Sequence, residues 1–252
     1  MPTYNATAIT LLAHKFKGSE RIVVLFTLER GRVDARVSGV GKPGSRLAAA
    51  AEPMTLARLQ LAEGKNMDRL TQVEVIETFY SLRNDLRRFA FASYVTELVA
   101  RTTEQGHPEP EVFEALALTL NALQHTSQVD LVTWAFVLRY LCIMGIAPGF
   151  AQCVSCDIQL TGKVCYAPGA GGCLCPACHS ADNGMLDIEP QVRAVCDTLQ
   201  RMPLDRLDRI HLSPGILGQL GELLGRHVKY HLGVTLNSEV FLQKMARVGL
   251  SA

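Results

Sequence analysis

Cys153, Cys156, Cys175 and Cys178 form a C-x2-C-x18-C-x2-C array inside the stretch CVSCDIQLTGKVCYAPGAGGCLCPAC. Two short thiol pairs across a loop of this length suit one tetrahedral zinc ion, each pair making a knuckle whose sulfurs converge on one side. A sphere closed by four thiolates leaves no position for water or substrate. The expected chemistry is therefore structural: the ion folds a loop that has little core of its own. A reactive thiol redox pair and a metal-free loop are the alternatives.

Four further cysteines accompany the array. Cys165 and Cys173 lie between its halves and are read as spectators, because Cys175 and Cys178 repeat the two-residue gap of the first knuckle. Cys142 and Cys196 fall in apolar helical stretches, where a thiol serves as a small buried hydrophobe. His179 adjoins the last ligand and could replace a thiolate, and Cys173 with Cys178 would be a usable pair with a wider gap. His227 and His231 stand at i and i+4 on one helix face with no third ligand nearby, and are read as packing or surface residues.

No phosphate-cradling glycine loop, nucleophile elbow, zinc-protease helix or clustered carboxylate pair is present, so the chain is not expected to be an enzyme. The charge is distributed unevenly. Residues 1–50 carry eight basic residues (Lys15, Lys17, Arg21, Arg30, Arg32, Arg36, Lys42 and Arg46) against three acids, and the remainder carries 17 against 21. A basic module on a mildly acidic platform suits a polyanion reader of low sequence selectivity and strong salt dependence. A barrel that docks another protein is the bland counterpart.

The elements that must hold these residues are legible from periodicity. TAITLLAHKF reads as a strand, and ERIVVLFTLERGRVDARVSGV as a hairpin turning at Gly31. In the second arm Val33, Ala35 and Val37 point one way and Asp34, Arg36 and Ser38 the other. Phe26 alternates with Val24 and Leu28 as a core residue. MTLARLQLAEGKNMDRLTQVEVIETF supplies two more strands, which gives five short strands in about eighty residues and a small closed or nearly closed barrel.

After Tyr80 the period lengthens. Leu86, Ala90, Tyr94 and Leu98 share one row of a helix over 82–104, and Val112, Leu116, Leu120 and Leu123 share a row of the next. Ser127 with Asp130 reads as a capping box opening the apolar helix DLVTWAFVLRYLCIMG, in which Trp134 packs and after which Gly145 and Pro148 end the run. Further helices are expected near 190–201, 214–232 and 238–246. The boundary between a basic barrel at 1–80 and a helical domain at 81–252 rests on this change of period, with the cysteine insertion at about 150–182. No run is apolar enough to span a membrane, and the start lacks both parts of a secretory signal, so a cytosolic protein with reduced thiols is expected.

In order and spacing, ATAITLLAHKFKGSERIVVLFTLERGRV, GKPGSRLAAAAEPMTLARLQL, FAFASYVTELV, LCIMGIAPGFAQCVSC, GGCLCPAC and KYHLGVTLNSEVFLQKM resemble the RecO family of bacterial recombination mediators over essentially the whole chain. The resemblance implies an α+β architecture: an N-terminal OB-fold followed by a helical domain carrying an inserted zinc finger. It implies binding to single- and double-stranded DNA, annealing of complementary strands, and work with RecR and the single-strand-binding protein SSB to load RecA at gaps in the cytoplasm, near the nucleoid during repair. Ser38, Gly41 and Gly44 stand where the family commonly has Arg or Lys. The implied DNA contacts are therefore Lys42, Ser45 and Arg46 in the loop, with the weight shifted to Lys15, Lys17, Arg21, Arg32 and Arg36. The competing reading is an adaptor that reaches DNA only through RecR or SSB.

Overall fold

Alternation of Val33, Ala35 and Val37 against Arg32, Asp34 and Arg36 makes Gly31–Val37 a strand with one apolar face, β3. It pairs antiparallel with β2 (Arg21–Thr27), and β2 with β1 (Thr3–Lys15). The β2–β3 turn is held by the Thr27 hydroxyl, which donates to the Gly31 carbonyl at 2.9 Å. Gly31 has φ +65°, and a Cβ there would lie 1.9 Å from the His107 carbonyl oxygen, so no larger residue fits. In a computed structural model of the chain, residues 2–41, 46–179 and 185–247 are described.

A one-turn helix, α1 (Arg46–Ala50), leads into β4 (Thr55–Ala62) and then β5 (Asp68–Glu77). The five strands close into a barrel in the order β1-β2-β3-β5-β4. Closure between β3 and β5 is parallel and brief, through Ala35↔Asp68 and Arg36↔Arg69. Small and branched side chains fill the interior: Ala6, Ala8, Val23, Leu25, Ala35, Val37, Leu59, Leu61 and Leu70. β1 carries a bulge between Thr10 and Leu12, which shifts the pairing with β2 by one residue.

Phe26 is fully buried, but with the opposite parity to Val23 and Leu25. It packs outside the barrel, its ring centroid 6.1 Å from that of Phe113. Phe113 belongs to α4 (Pro110–His125), which follows α2 (Tyr80–Asn84) and α3 (Leu86–Thr102). Of the row expected to face the core in α3, Ala90, Tyr94 and Leu98 are buried and Leu86 is 52% exposed, because it opens the helix just after its Asp85 cap. The chain divides into two compact units at Met1–His125 and Thr126–Ala252. The change of period near residue 80 marks the end of the barrel strands, while the first unit continues through α3 and α4.

In the second unit α5 (Val129–Ile143) is buried around almost its whole circumference, as its unbroken apolar sequence requires. Its N-cap is Gln128, without a side-chain cap bond, so the Ser127–Asp130 box is not the device that starts it. Instead the Gln128 amide donates to the Thr126 hydroxyl at 2.9 Å. Trp134 is 8% exposed and lies against Gly221 of α7 (Pro214–Leu232), where a Cβ would come within 2.7 Å of the indole. A three-stranded sheet, ordered β7-β6-β8, comprises β6 (Val164–Ala167), β7 (Gly172–Leu174) and β8 (Leu186–Ile188). Helices α6 (Pro190–Arg201) and α8 (Asn237–Arg247) complete the unit.

Candidate metal centre and nucleic-acid interface

Two tight turns bring the four predicted ligands together. In the first, the Asp157 amide donates to the Cys153 carbonyl at 2.9 Å and the Cys153 amide to the Ile158 carbonyl at 2.9 Å, with Asp157 held at φ +60°. In the second, the amides of Cys178 and His179 both donate to the Cys175 carbonyl, at 3.0 and 3.1 Å. β7 joins the turns, since the Val154 amide donates to the Cys173 carbonyl at 3.0 Å. The Sγ atoms of Cys153, Cys156, Cys175 and Cys178 all lie within 4.8 Å of one another.

That spacing fits a metal. Metal–sulfur bonds of about 2.3 Å in a tetrahedron put the sulfurs about 3.8 Å apart, and Cys156 Sγ stands 3.8 Å from Cys175 Sγ. Burial pushes the Cys153 thiol up, but N–H groups of Cys175, Ser155 and Cys156 aimed at its sulfur prevail and bring it down to about 6. The Cys175 amide makes this contact at 3.4 Å. N–H donors that favour a thiolate also favour a ligand to a cation. Two ligands, Cys153 and Cys175, are buried, and Cys156 is exposed.

The remaining thiols stand apart from this cluster. Cys165 and Cys173 occupy β6 and β7 with buried side chains, and burial raises both thiols, as it does for Cys196. Cys142 is half-buried. Among the described residues His179 is not part of any metal-ligating group. His227 is fully buried with both ring nitrogens engaged: Nε2 bonds the Ile146 carbonyl at 2.7 Å and Nδ1 bonds the Tyr166 hydroxyl. Nε2 therefore carries the proton and Nδ1 accepts from tyrosine. Burial pulls its pKa down to about 4, with the neighbouring His231 adding to the fall and the Ile146 carbonyl opposing it. His231 bonds the Pro168 carbonyl at 2.9 Å. The i, i+4 histidine pair thus joins the helix to β6 and to the 3-10 turn at Pro168–Ala170.

The basic residues of the barrel divide by parity. Cross-strand partners His14, Ile22, Arg36 and Arg69 form one outward row over β1, β2, β3 and β5. Lys15 pairs with Arg21, and Arg21 with Val37, whose side chain faces the interior, so the two cations stand at the barrel rim. Arg21 donates there to the Ala51 carbonyl at 3.4 Å and forms an ion pair with Glu52 at 3.0 Å. Arg32 faces outward, but its Nη1 donates to the Ala100 carbonyl of α3 at 2.9 Å. It braces a helix.

Lys17 and Arg36 converge on Phe16, their charged groups 5.8 and 5.0 Å from its ring centroid. Among the described residues neither of them, nor Lys15 or Arg69, forms an ion pair. Lys42 and Ser45 lie outside the described residues, and Arg46 is placed by its backbone alone, in α1. The five candidates with described side chains, Lys15, Lys17, Arg21, Arg32 and Arg36, therefore do not share one face. Arg69 lies outside the first fifty residues in which the basic candidates were counted. Cross-strand pairing places it beside Arg36, and Phe16, just beyond β1, is 42% exposed.

Two family models cover the chain almost end to end: Recombination protein O N terminal over residues 1–79 and Recombination protein O C terminal over residues 83–239. A protein of Symbiobacterium thermophilum named DNA repair protein RecO is 32% identical over 252 residues, spanning 97% of this chain and 98% of the relative. The protein of that name in Pelotomaculum thermopropionicum is 30% identical over 247 residues, covering 98% and 96%. That of Bacillus subtilis is 29% identical over 237 residues, covering 94% and 92%.

Proposed function

Because the chain belongs to the recombination protein O family, we propose that it is a non-enzymatic mediator of DNA repair and recombination. In this reading it binds single- and double-stranded DNA through the barrel, anneals complementary strands, and with RecR helps load RecA onto gaps coated with SSB. The barrel is taken as an OB-fold, a reading supported by its strand order and by the short helix between β3 and β4. The observation that carries DNA binding is the outward row bearing Arg36 and Arg69 beside Lys17, cations unpaired with acids among the described residues. Such groups neutralise phosphates and release counterions. Annealing then requires only that two polyanions be allowed to approach, with no bond made or broken.

The four-cysteine centre is read as one structural zinc. Bound there, the ion would be held by Cys153, Cys156, Cys175 and Cys178 and would supply cross-linking of two turns that have little core between them. The closed thiolate set offers no open position for chemistry. Among the described residues no helix is long and apolar enough to cross a membrane; the mediator reading itself assigns the work to the cytoplasm.

A strand-annealing assay with the purified chain, with and without SSB, tests the mediator reading. Faster annealing of complementary strands supports it, and absence of any mobility shift with oligonucleotides at low salt would favour an adaptor that reaches DNA through a partner. Metal analysis tests the zinc: about one per chain is expected, with Cys153→Ser plus Cys175→Ser losing it and destabilising the second unit by several kcal/mol.

A further inference from the structure

The β1–β2 turn holds an aromatic side chain in an unusual setting. Phe16 is 42% exposed just beyond the last residue of β1. Its position is fixed, because its own amide donates to the Glu20 carbonyl at 3.1 Å and the Glu20 amide donates to the Lys17 carbonyl at 2.8 Å. The ring gains cation–π attraction from Arg36 and Lys17. Nothing in barrel packing asks for it.

Arg36 is also in register with Arg69 on the neighbouring parallel strand, and both side chains are exposed. Like charges placed opposite one another across a sheet destabilise it, and here no acid among the described residues compensates either one. The nearby carboxylates are otherwise placed. Glu20 accepts from the Ser38 hydroxyl at 2.9 Å, and Asp34, one row along the same face, is half-buried and forms no ion pair among the described residues. Two exposed arginines in register, one with its guanidinium 5.0 Å from an exposed ring, are complementary to an anion attached to a flat, apolar group.

We propose that Phe16, Arg36 and Arg69 form a one-nucleotide subsite for single-stranded DNA. The Phe16 ring stacks an unpaired base, and the two guanidinium groups take the adjoining phosphate between them. The subsite rests on the reading of the barrel as a DNA-binding module and adds to it a preference: a base inside a duplex is already stacked and paired, so only the phosphate half is available to double-stranded DNA. Sequence selectivity is low, since every base has a π-face.

The test uses the full chain and three labelled probes read by fluorescence anisotropy: oligo(dT), an abasic strand of equal length, and a duplex. Phe16→Leu keeps an apolar side chain and removes the aromatic face. It should weaken oligo(dT) binding about tenfold or more, leave the abasic strand and duplex unchanged, and be rescued by Phe16→Tyr. Arg36→Gln with Arg69→Gln should weaken all three and lower the salt slope by roughly one to two. If Phe16→Leu binds oligo(dT) as the parent does, or loses equally on all three probes, the stacking half is overturned. An unchanged salt slope in the double variant overturns the phosphate half. If the parent chain binds none of the probes at low salt, the DNA-binding reading fails and the subsite falls with it.

Discussion

Gly172 touches no metal ligand by its own side, yet substituting it should loosen the cysteine centre. A Cβ at this position would lie 2.6 Å from the Gly149 carbonyl oxygen, 2.8 Å from the Gly149 amide nitrogen and 2.6 Å from Val154 Cγ1. Relaxed contacts for carbon begin at about 3.5 Å, and two of the three obstructions are backbone, so no rotamer change relieves them. Gly172→Ala must push β7 away from the first knuckle. That movement strains the bonds tying them together, from the Cys173 amide to the Gly149 carbonyl at 2.9 Å and from the Val154 amide to the Cys173 carbonyl at 3.0 Å.

Overpacking costs about 1–3 kcal/mol and each of the two weakened hydrogen bonds about 1 kcal/mol, for a loss near 3–5 kcal/mol. Because metal binding and local folding are linked at such sites, a share of about 2 kcal/mol falling on the metal-bound form alone would lower affinity roughly thirtyfold. Metal transfer to a chromophoric chelator reads that affinity, and thermal unfolding followed by Trp134, the chain's single tryptophan, reads stability. Gly218→Ala is the control. It lies in α7 with nothing within 4 Å of its Cβ, so it should stabilise by up to about 1 kcal/mol. Equal metal affinity and equal melting temperature for the two variants would refute the reasoning.

Arg32→Ala should lower the stability of the first unit by about 1–3 kcal/mol through the lost bond to the Ala100 carbonyl and leave DNA affinity near that of the parent, whereas Arg36→Ala should do the reverse; urea unfolding and DNA titrations on both variants check the pair. His227 is neutral in the folded chain with its pKa lowered to about 4. The unfolded state therefore takes up the proton first as pH falls through about 6.5. Its contribution to stability is constant above that, declines between about pH 6.5 and 4 by no more than about 3 kcal/mol, and then levels off; His227→Gln should flatten this part of the pH profile in urea unfolding at fixed metal loading, and an unchanged profile would dismiss the assignment.

The clustering of the four cysteines was legible because its geometry is local. Two Cys-x-x-Cys turns position their own sulfurs, and only the meeting of the turns depends on the rest of the fold. The helices were legible for a similar reason: the apolar row Val112, Leu116, Leu120 and Leu123 is wholly buried, as its spacing requires. The barrel face was not. Strict alternation through TAITLLAHKF places Thr10, Leu12 and His14 together, but the bulge between Thr10 and Leu12 reverses the parity, so Thr10 pairs with Leu25 facing in and Leu12 with Val24 facing out. Arg69 was invisible for another reason. It reaches Arg36 only through the two-pair parallel closure of β3 and β5, a contact between positions far apart in the chain.

Counting cations therefore overstates the surface available to phosphate, and the structure supplies a ranking in its place. Arg32 donates to a backbone carbonyl that would be left without this partner if the side chain swung to DNA, so it contributes least. Arg21 and Arg30 hold Glu52 and Glu63 at 3.0 and 2.8 Å in exposed or half-exposed pairs. Such pairs are worth only about 0–1 kcal/mol, so exchange is inexpensive, but the released carboxylate stays close to the incoming phosphate and cancels much of the gain. Arg36 and Arg69 face the opposite situation. In the proposed subsite, an anion entering between these two like charges in register would relieve their repulsion, so the contact that neutralises a phosphate would also relax the protein. Affinity should therefore follow the two arginines joined at the barrel seam more closely than the total charge of the first fifty residues.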